Sequence, residues 1–174
     1  MRTHFNKGKS KKKIVIKQEK IMKRVLLSNP YGPYELEWGE NQYDLLESRL
    51  QRGQGPFALK SHLHCVALYL IAENIRAETT VLEYPHLEDF ERELAKGYDY
   101  VGIQVIALTI EKVARMIKAA RRIAPDTKII IGGYGVLNLD DPPPGETGDY
   151  AEYILRETDY ICREEGVRFM RNLL

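Results

Sequence analysis

The sequence is poor in the residues that build most familiar sites. Two cysteines, Cys65 and Cys162, stand far apart, with no C-x-x-C pair and no Cys/His ligand spacing around them. That excludes a disulfide framework and a structural zinc site. Two isolated thiolates cannot hold an iron–sulfur cluster either. No run of about 18 apolar residues occurs, so no membrane span is expected. The N-terminus lacks the apolar core of a secretory signal, which makes the cytoplasm the default compartment. The pattern G-x-x-x-x-G-K-[ST] is missing, and so is G-x-G-x-x-G, which removes the P-loop and the dinucleotide fingerprint.

What is present is ordinary for a globular chain: 174 residues, 44% hydrophobic and 29% charged. The length suits one domain, and about two-thirds of its surface should be buried on folding. The net charge of +1 conceals an asymmetry. Residues 1–20 carry eight Lys/Arg against the single acid Glu19, a balance of +7. The remaining 154 residues hold 18 basic and 24 acidic side chains, a balance of −6. The basic stretch reads either as an arm for nucleic acid or an anionic membrane surface, or as a solvated, disordered leader. No aromatic or amphipathic stripe interleaves with its lysines, so the leader reading is preferred and no nucleic-acid partner is expected. Residues 1–21 are therefore set apart from a domain spanning 22–174.

Beyond Met22, short β-branched runs alternate with helical periodicity. The continuous apolar run 24–28, ended by Asn29-Pro30, predicts a strand buried on both faces. Leu63, Val66, Ala67, Leu70, Ile71 and Ile75 draw one apolar helix face. Strands follow at 79–84, 101–106, 128–131 and 158–162. Between and after them lie helices on Leu87, Phe90 and Leu94, on Ile110, Val113, Ala114, Ile117 and Ile123, on Tyr150, Tyr153 and Ile154, and over 166–174. Strict alternation of this kind predicts one α/β domain with a parallel sheet and right-handed crossovers. Five strands favour the flavodoxin-like, Rossmann-like three-layer sandwich with order 2-1-3-4-5.

Open parallel sheets bind ligands outside the carboxyl ends of their strands. Two segments at that edge are long. Residues 30–55 contain Tyr31, Tyr34, Trp38 and Tyr43, which reads as a lid or partner surface, or as aromatics folding back on the core. Residues 132–148 begin Gly132-Gly133-Tyr134-Gly135, where bare backbone would admit a ligand or simply make a tight turn. Catalytic candidates are sparse. His62 and His64 sit two apart on a helix and point to different faces. No acid is spaced to turn them and Cys65 into a nucleophilic centre. His86 reads as a turn residue near the binding edge. Glu164 and Glu165 are placed to accept hydrogen bonds from loop amides.

Several segments taken together carry a family likeness. They are the first strand with Asn29-Pro30, then Asp99-Tyr100-Val101-Gly102-Ile103, then 124–133 (APDTKIIIGG), and finally 158–166 (TDYICREEG). In this order and spacing the chain from Met22 to Leu174 resembles the cobalamin-binding domain that precedes the catalytic domain in many radical SAM enzymes. The resemblance implies a corrinoid held over the carboxyl ends of the strands. Its nucleotide tail would pass Gly132 and Gly133, between the helix after the first strand and the fourth and fifth strands. It implies cofactor-contacting roles for Asn29, Pro30, Gln104, Ile106, Thr109, Tyr134, Glu164, Glu165 and Gly166 as well. In mutases and methionine synthases a D-x-H-x-x-G loop ligates cobalt. Here Leu59 falls where that histidine would be, which implies cobalt without a protein imidazole. Glu164 replaces an expected glycine and Val167 an expected acid.

The chain ends where a radical SAM barrel would begin. The expectation is thus an accessory module, not an enzyme on its own, that presents cobalamin to a radical SAM domain or partner. The alternative is an interaction or regulatory domain of the same fold without a ligand. A phosphoacceptor receiver is disfavoured, because Asn29-Pro30 stands where its acids would be.

Overall fold

A computed structural model describes residues 22–32, 65–142 and 145–174. The basic leader, most of the aromatic segment 30–55, Leu59, His62 and His64 lie outside them. The elements follow in strict alternation: β1 (Arg24–Ser28), α1 (Val66–Asn74), β2 (Glu78–Leu82), α2 (Leu87–Leu94), β3 (Tyr100–Gln104), α3 (Ile110–Ile123), β4 (Lys128–Gly132), α4 (Glu146–Glu157), β5 (Tyr160–Ile161) and α5 (Gly166–Leu173). Two 3-10 turns, Ala107–Thr109 and Tyr134–Leu139, follow β3 and β4. All pairings are parallel and the strand order is 2-1-3-4-5, as the alternation predicts. Among the described residues no helix is long and apolar enough to cross a membrane.

The pleat divides the apolar strand residues between two cores. Leu26, Val101, Ile103, Ile129 and Ile131 face α2, α3 and α4. Val25, Leu27 and Ile130 face the other way, toward α1 and α5, with Leu68 and Met170. The first layer is thick: Phe90, Leu94, Val113, Met116, Ile117 and Ile154 are all fully buried. The second is thin. Of the expected α1 stripe, Val66 and Leu70 are 69% and 53% exposed, and Leu68 is the buried residue of the helix. A nearly all-apolar helix offers no contrast between faces, so periodicity misplaces its buried side.

Three strands are shifted or shortened relative to expectation. β2 ends at Leu82 rather than Tyr84, β3 at Gln104 rather than Ile106, and β5 holds only Tyr160 and Ile161. Residues 158 and 159 instead form a clamp at the amino edge. Asp159 Oδ2 accepts from the Ile129 amide at 2.9 Å and from Arg121 at 2.8 Å, while Oδ1 accepts from Lys128 at 2.8 Å. Asp99 repeats the device before β3, accepting from the Arg24 amide at 2.8 Å and from Lys23 at 2.7 Å. Each Asp-Tyr pair thus ties the start of its own strand to the start of a neighbour.

Burial pushes the Asp159 carboxyl up, but the bonds from Lys128, the Ile129 amide and Arg121 outweigh it and hold the group at about 2. A carboxyl depressed in the folded state contributes stability that is full above its unfolded value, near 4, and is lost as the pH falls through 2. The expected contribution is about 2 kcal/mol. Asp159→Asn should flatten the acid limb of a stability-against-pH curve between about pH 4 and 2, measured by urea unfolding. An unchanged limb in that variant would remove the clamp.

Candidate functional site

Because α1 and α5 cover the second face incompletely, a cleft of about 520 Å³ opens between them above the sheet. Its apolar walls include Leu27, Leu68, Ile71, Ile130, Phe169 and Met170, and its mouth lies at the carboxyl ends of β3, β4 and β5. The size is within the range of small-molecule sites.

The floor is lowered at Gly102, in the middle of β3. A Cβ built there would lie 2.8 Å from Leu27 Cδ2, so the Leu27 side chain leans over the space this glycine leaves. Gly166, at the start of α5, does the same for the wall, with Ile71 Cδ1 at 2.8 Å from an added Cβ. Both neighbours are ends of flexible side chains that line the cleft.

Gly132 and Gly133 border the cleft, and of the two readings their sequence leaves open the geometry is that of a tight turn. A Cβ on Gly132 would meet Cys162 Cβ at 3.3 Å. One on Gly133 would meet the Val105 carbonyl oxygen at 3.0 Å and Gln104 Cγ at 3.1 Å. Both vectors point into the protein. Gly133 has φ 96 and ψ 172, a conformation that essentially only glycine adopts. It turns the chain so that Val105 N donates to Gly132 O at 2.7 Å and Gly135 N to Val105 O at 3.0 Å. The turn sends Tyr134 out, 95% exposed, at the lip of the cleft, with Leu137 beside it 62% exposed.

Of the residues expected to contact a cofactor, Gln104, Gly132, Gly133, Tyr134, Glu164, Glu165 and Gly166 come together around this cleft. Asn29, Pro30, Ile106 and Thr109 do not line it. Asn29 is fully buried, and its Oδ1 takes the Tyr84 amide at 2.5 Å, joining the ends of β1 and β2. Thr109 Oγ1 donates to Ile106 O at 2.9 Å within the turn that opens α3. His86 stands at the N-terminal boundary of α2, also away from the cleft.

Glu165 behaves as the sequence suggests: its carboxylate accepts from the amides of Val167 at 2.9 Å and Arg168 at 2.8 Å, capping α5. Glu164 lies 3.7 Å from Arg168 Nε. Sequence reasoning missed Arg163. Its guanidinium reaches across the mouth to Asp140, with Nη1–Oδ2 at 2.5 Å and Nη2–Oδ1 at 2.7 Å. The hydrogen bond from Arg163 holds the Asp140 carboxyl below its usual range. Nothing in the local sequence links two residues this far apart.

Among the described residues the two thiols stand apart, each tied to a neighbour. The Cys65 thiol donates to Gln104 Oε1 at 3.1 Å, and its amide is capped by Glu83. The Cys162 thiol donates to Glu164 O at 3.3 Å. Burial pushes both thiols up, away from the reactive thiolate. Among the described residues no group of three or more His, Cys, Asp or Glu is arranged to hold a metal ion. No protein-family model matches the chain, and no curated protein matches it.

Proposed function

We propose that this chain is a corrinoid-binding module that takes the nucleotide arm of cobalamin into the cleft between α1 and α5 and leaves the macrocycle on the carboxyl rim. One observation carries the reading: an apolar, glycine-floored cleft of about 520 Å³ opens at the end of the sheet where parallel α/β domains bind ligands. A flat base has apolar walls there, and the Gln104 amide stands at the mouth for the ligand's polar substituents. Tyr134 and Leu137 offer exposed apolar surface beside the opening, of the kind that marks binding sites.

When bound, the corrinoid supplies the organometallic chemistry. The chain's own part is to grip the arm, orient the ring and keep water from its lower edge. A radical SAM domain or subunit is the proposed recipient of the presented cofactor, on the strength of the family likeness of segments 24–30, 99–103, 124–133 and 158–166.

The test is direct. Purified protein mixed with hydroxocobalamin and desalted should retain corrinoid absorbance at close to one equivalent. A colourless protein would favour a ligand-free interaction domain of the same fold.

A further inference from the structure

We infer that Arg163 is the anion-binding residue of the cleft, and that Asp140 holds its guanidinium in the place an incoming phosphodiester takes. The inference rests on the corrinoid reading and adds to it the residue that selects for a ligand carrying the phosphate-bearing arm.

Three observations support it. First, among the described residues Arg163 is the one cation that lines the cleft. The two acids beside it are committed elsewhere, Glu165 to the Val167 and Arg168 amides and Glu164 to the Arg168 side chain. Second, the contact to Asp140 is bidentate, two nitrogens on two oxygens at 2.5 and 2.7 Å. A guanidinium fork accepts a pair of phosphate oxygens in the same planar geometry. Third, both partners are well exposed, with side chains 41% and 54% accessible. An exposed pair of this kind contributes little to stability, so exchanging its carboxylate for a phosphate costs the fold little.

Asp140 closes the 3-10 turn Tyr134–Leu139, and Arg163 follows β5. Their bridge therefore spans the mouth between the two rims. Until a ligand arrives the Asp140 carboxylate occupies the guanidinium fork, and the phosphate displaces it.

The experiment compares cobalamin with cobinamide, the corrinoid that lacks the nucleotide arm, by titration on the full chain. Arg163→Gln is expected to weaken cobalamin binding about tenfold or more and to leave cobinamide affinity unchanged. Asp140→Asn removes the competing carboxylate and is expected to tighten cobalamin binding several-fold, again with no effect on cobinamide. Equal losses for both ligands in Arg163→Gln, no loss for either, or a loss of cobalamin affinity in Asp140→Asn equal to that in Arg163→Gln would each overturn the assignment. Thermal unfolding confirms that both variants are folded. If the wild-type protein binds neither ligand, the corrinoid reading itself has failed. If it binds cobalamin and the variants do not discriminate, only the role of Arg163 has.

Discussion

Gly102→Val is expected to abolish corrinoid retention while the protein stays folded. The valine Cβ would arrive 2.8 Å from Leu27 Cδ2 and drive that side chain into the cleft, with its own methyls following from the floor. The position is otherwise permissive. It is a central strand site between Leu27 on β1 and Ile130 on β4, and β-branched residues suit strands. Overpacking typically costs about 1–3 kcal/mol, part of which the cleft absorbs because Leu27 has somewhere to go. For a chain of this size each kcal/mol lowers Tm by about 2–4 °C. The expected pattern is therefore no retained absorbance after desalting, with Tm lower by only a few degrees. Normal retention in this variant would place the ligand elsewhere.

Gly133→Ala is expected to act in the opposite way, damaging the fold first. The residue occupies a glycine-only region of backbone space, which costs a side chain about 1–3 kcal/mol. The added Cβ also meets the Val105 carbonyl oxygen at 3.0 Å, where the obstacle is backbone and not a mobile side-chain end. Together these should destabilise the protein by about 3 kcal/mol and lower Tm by roughly 6–12 °C. Gly132→Ala is the matched control. Its Cβ meets Cys162 Cβ at 3.3 Å with no positive φ to maintain, so Tm should move by no more than a few degrees. Equal Tm values for the two variants would refute this division of roles within the glycine pair.

These two variants also mark what could be read from the sequence. The alternation of apolar runs and amphipathic periods was enough for the parallel sheet, and five strands favoured its order without fixing it. β1, β3 and β4 are buried on both faces, and α2, α3 and α4 contrast sharply between theirs. The same reasoning named seven residues that border the cleft at the carboxyl ends of the strands, Gln104, Gly132, Gly133, Tyr134, Glu164, Glu165 and Gly166. It left the paired glycines open, since a Gly-Gly after a strand looks the same whether it bares the backbone or turns it. The signal that was available is Gly102: a glycine inside a β-branched strand marks a close approach or a vacancy. The resemblance segments divide in the same way. Asp99 and Asp159 belong to clamps at the amino edge, while the stretches after them lead to the cleft. Arg163 and Asp140 stay illegible in the sequence because their meeting depends on how β5 and the turn after β4 are placed in space.

The central claim is that the cleft between α1 and α5 is the ligand's place. Hydrogen–deuterium exchange on the protein with and without saturating hydroxocobalamin tests it most directly. Added protection should concentrate in residues 132–137 and 163–167, with the amino edge around Lys23, Asp99 and Lys128 unchanged. Protection confined to that opposite edge, or none at all, would contradict the account.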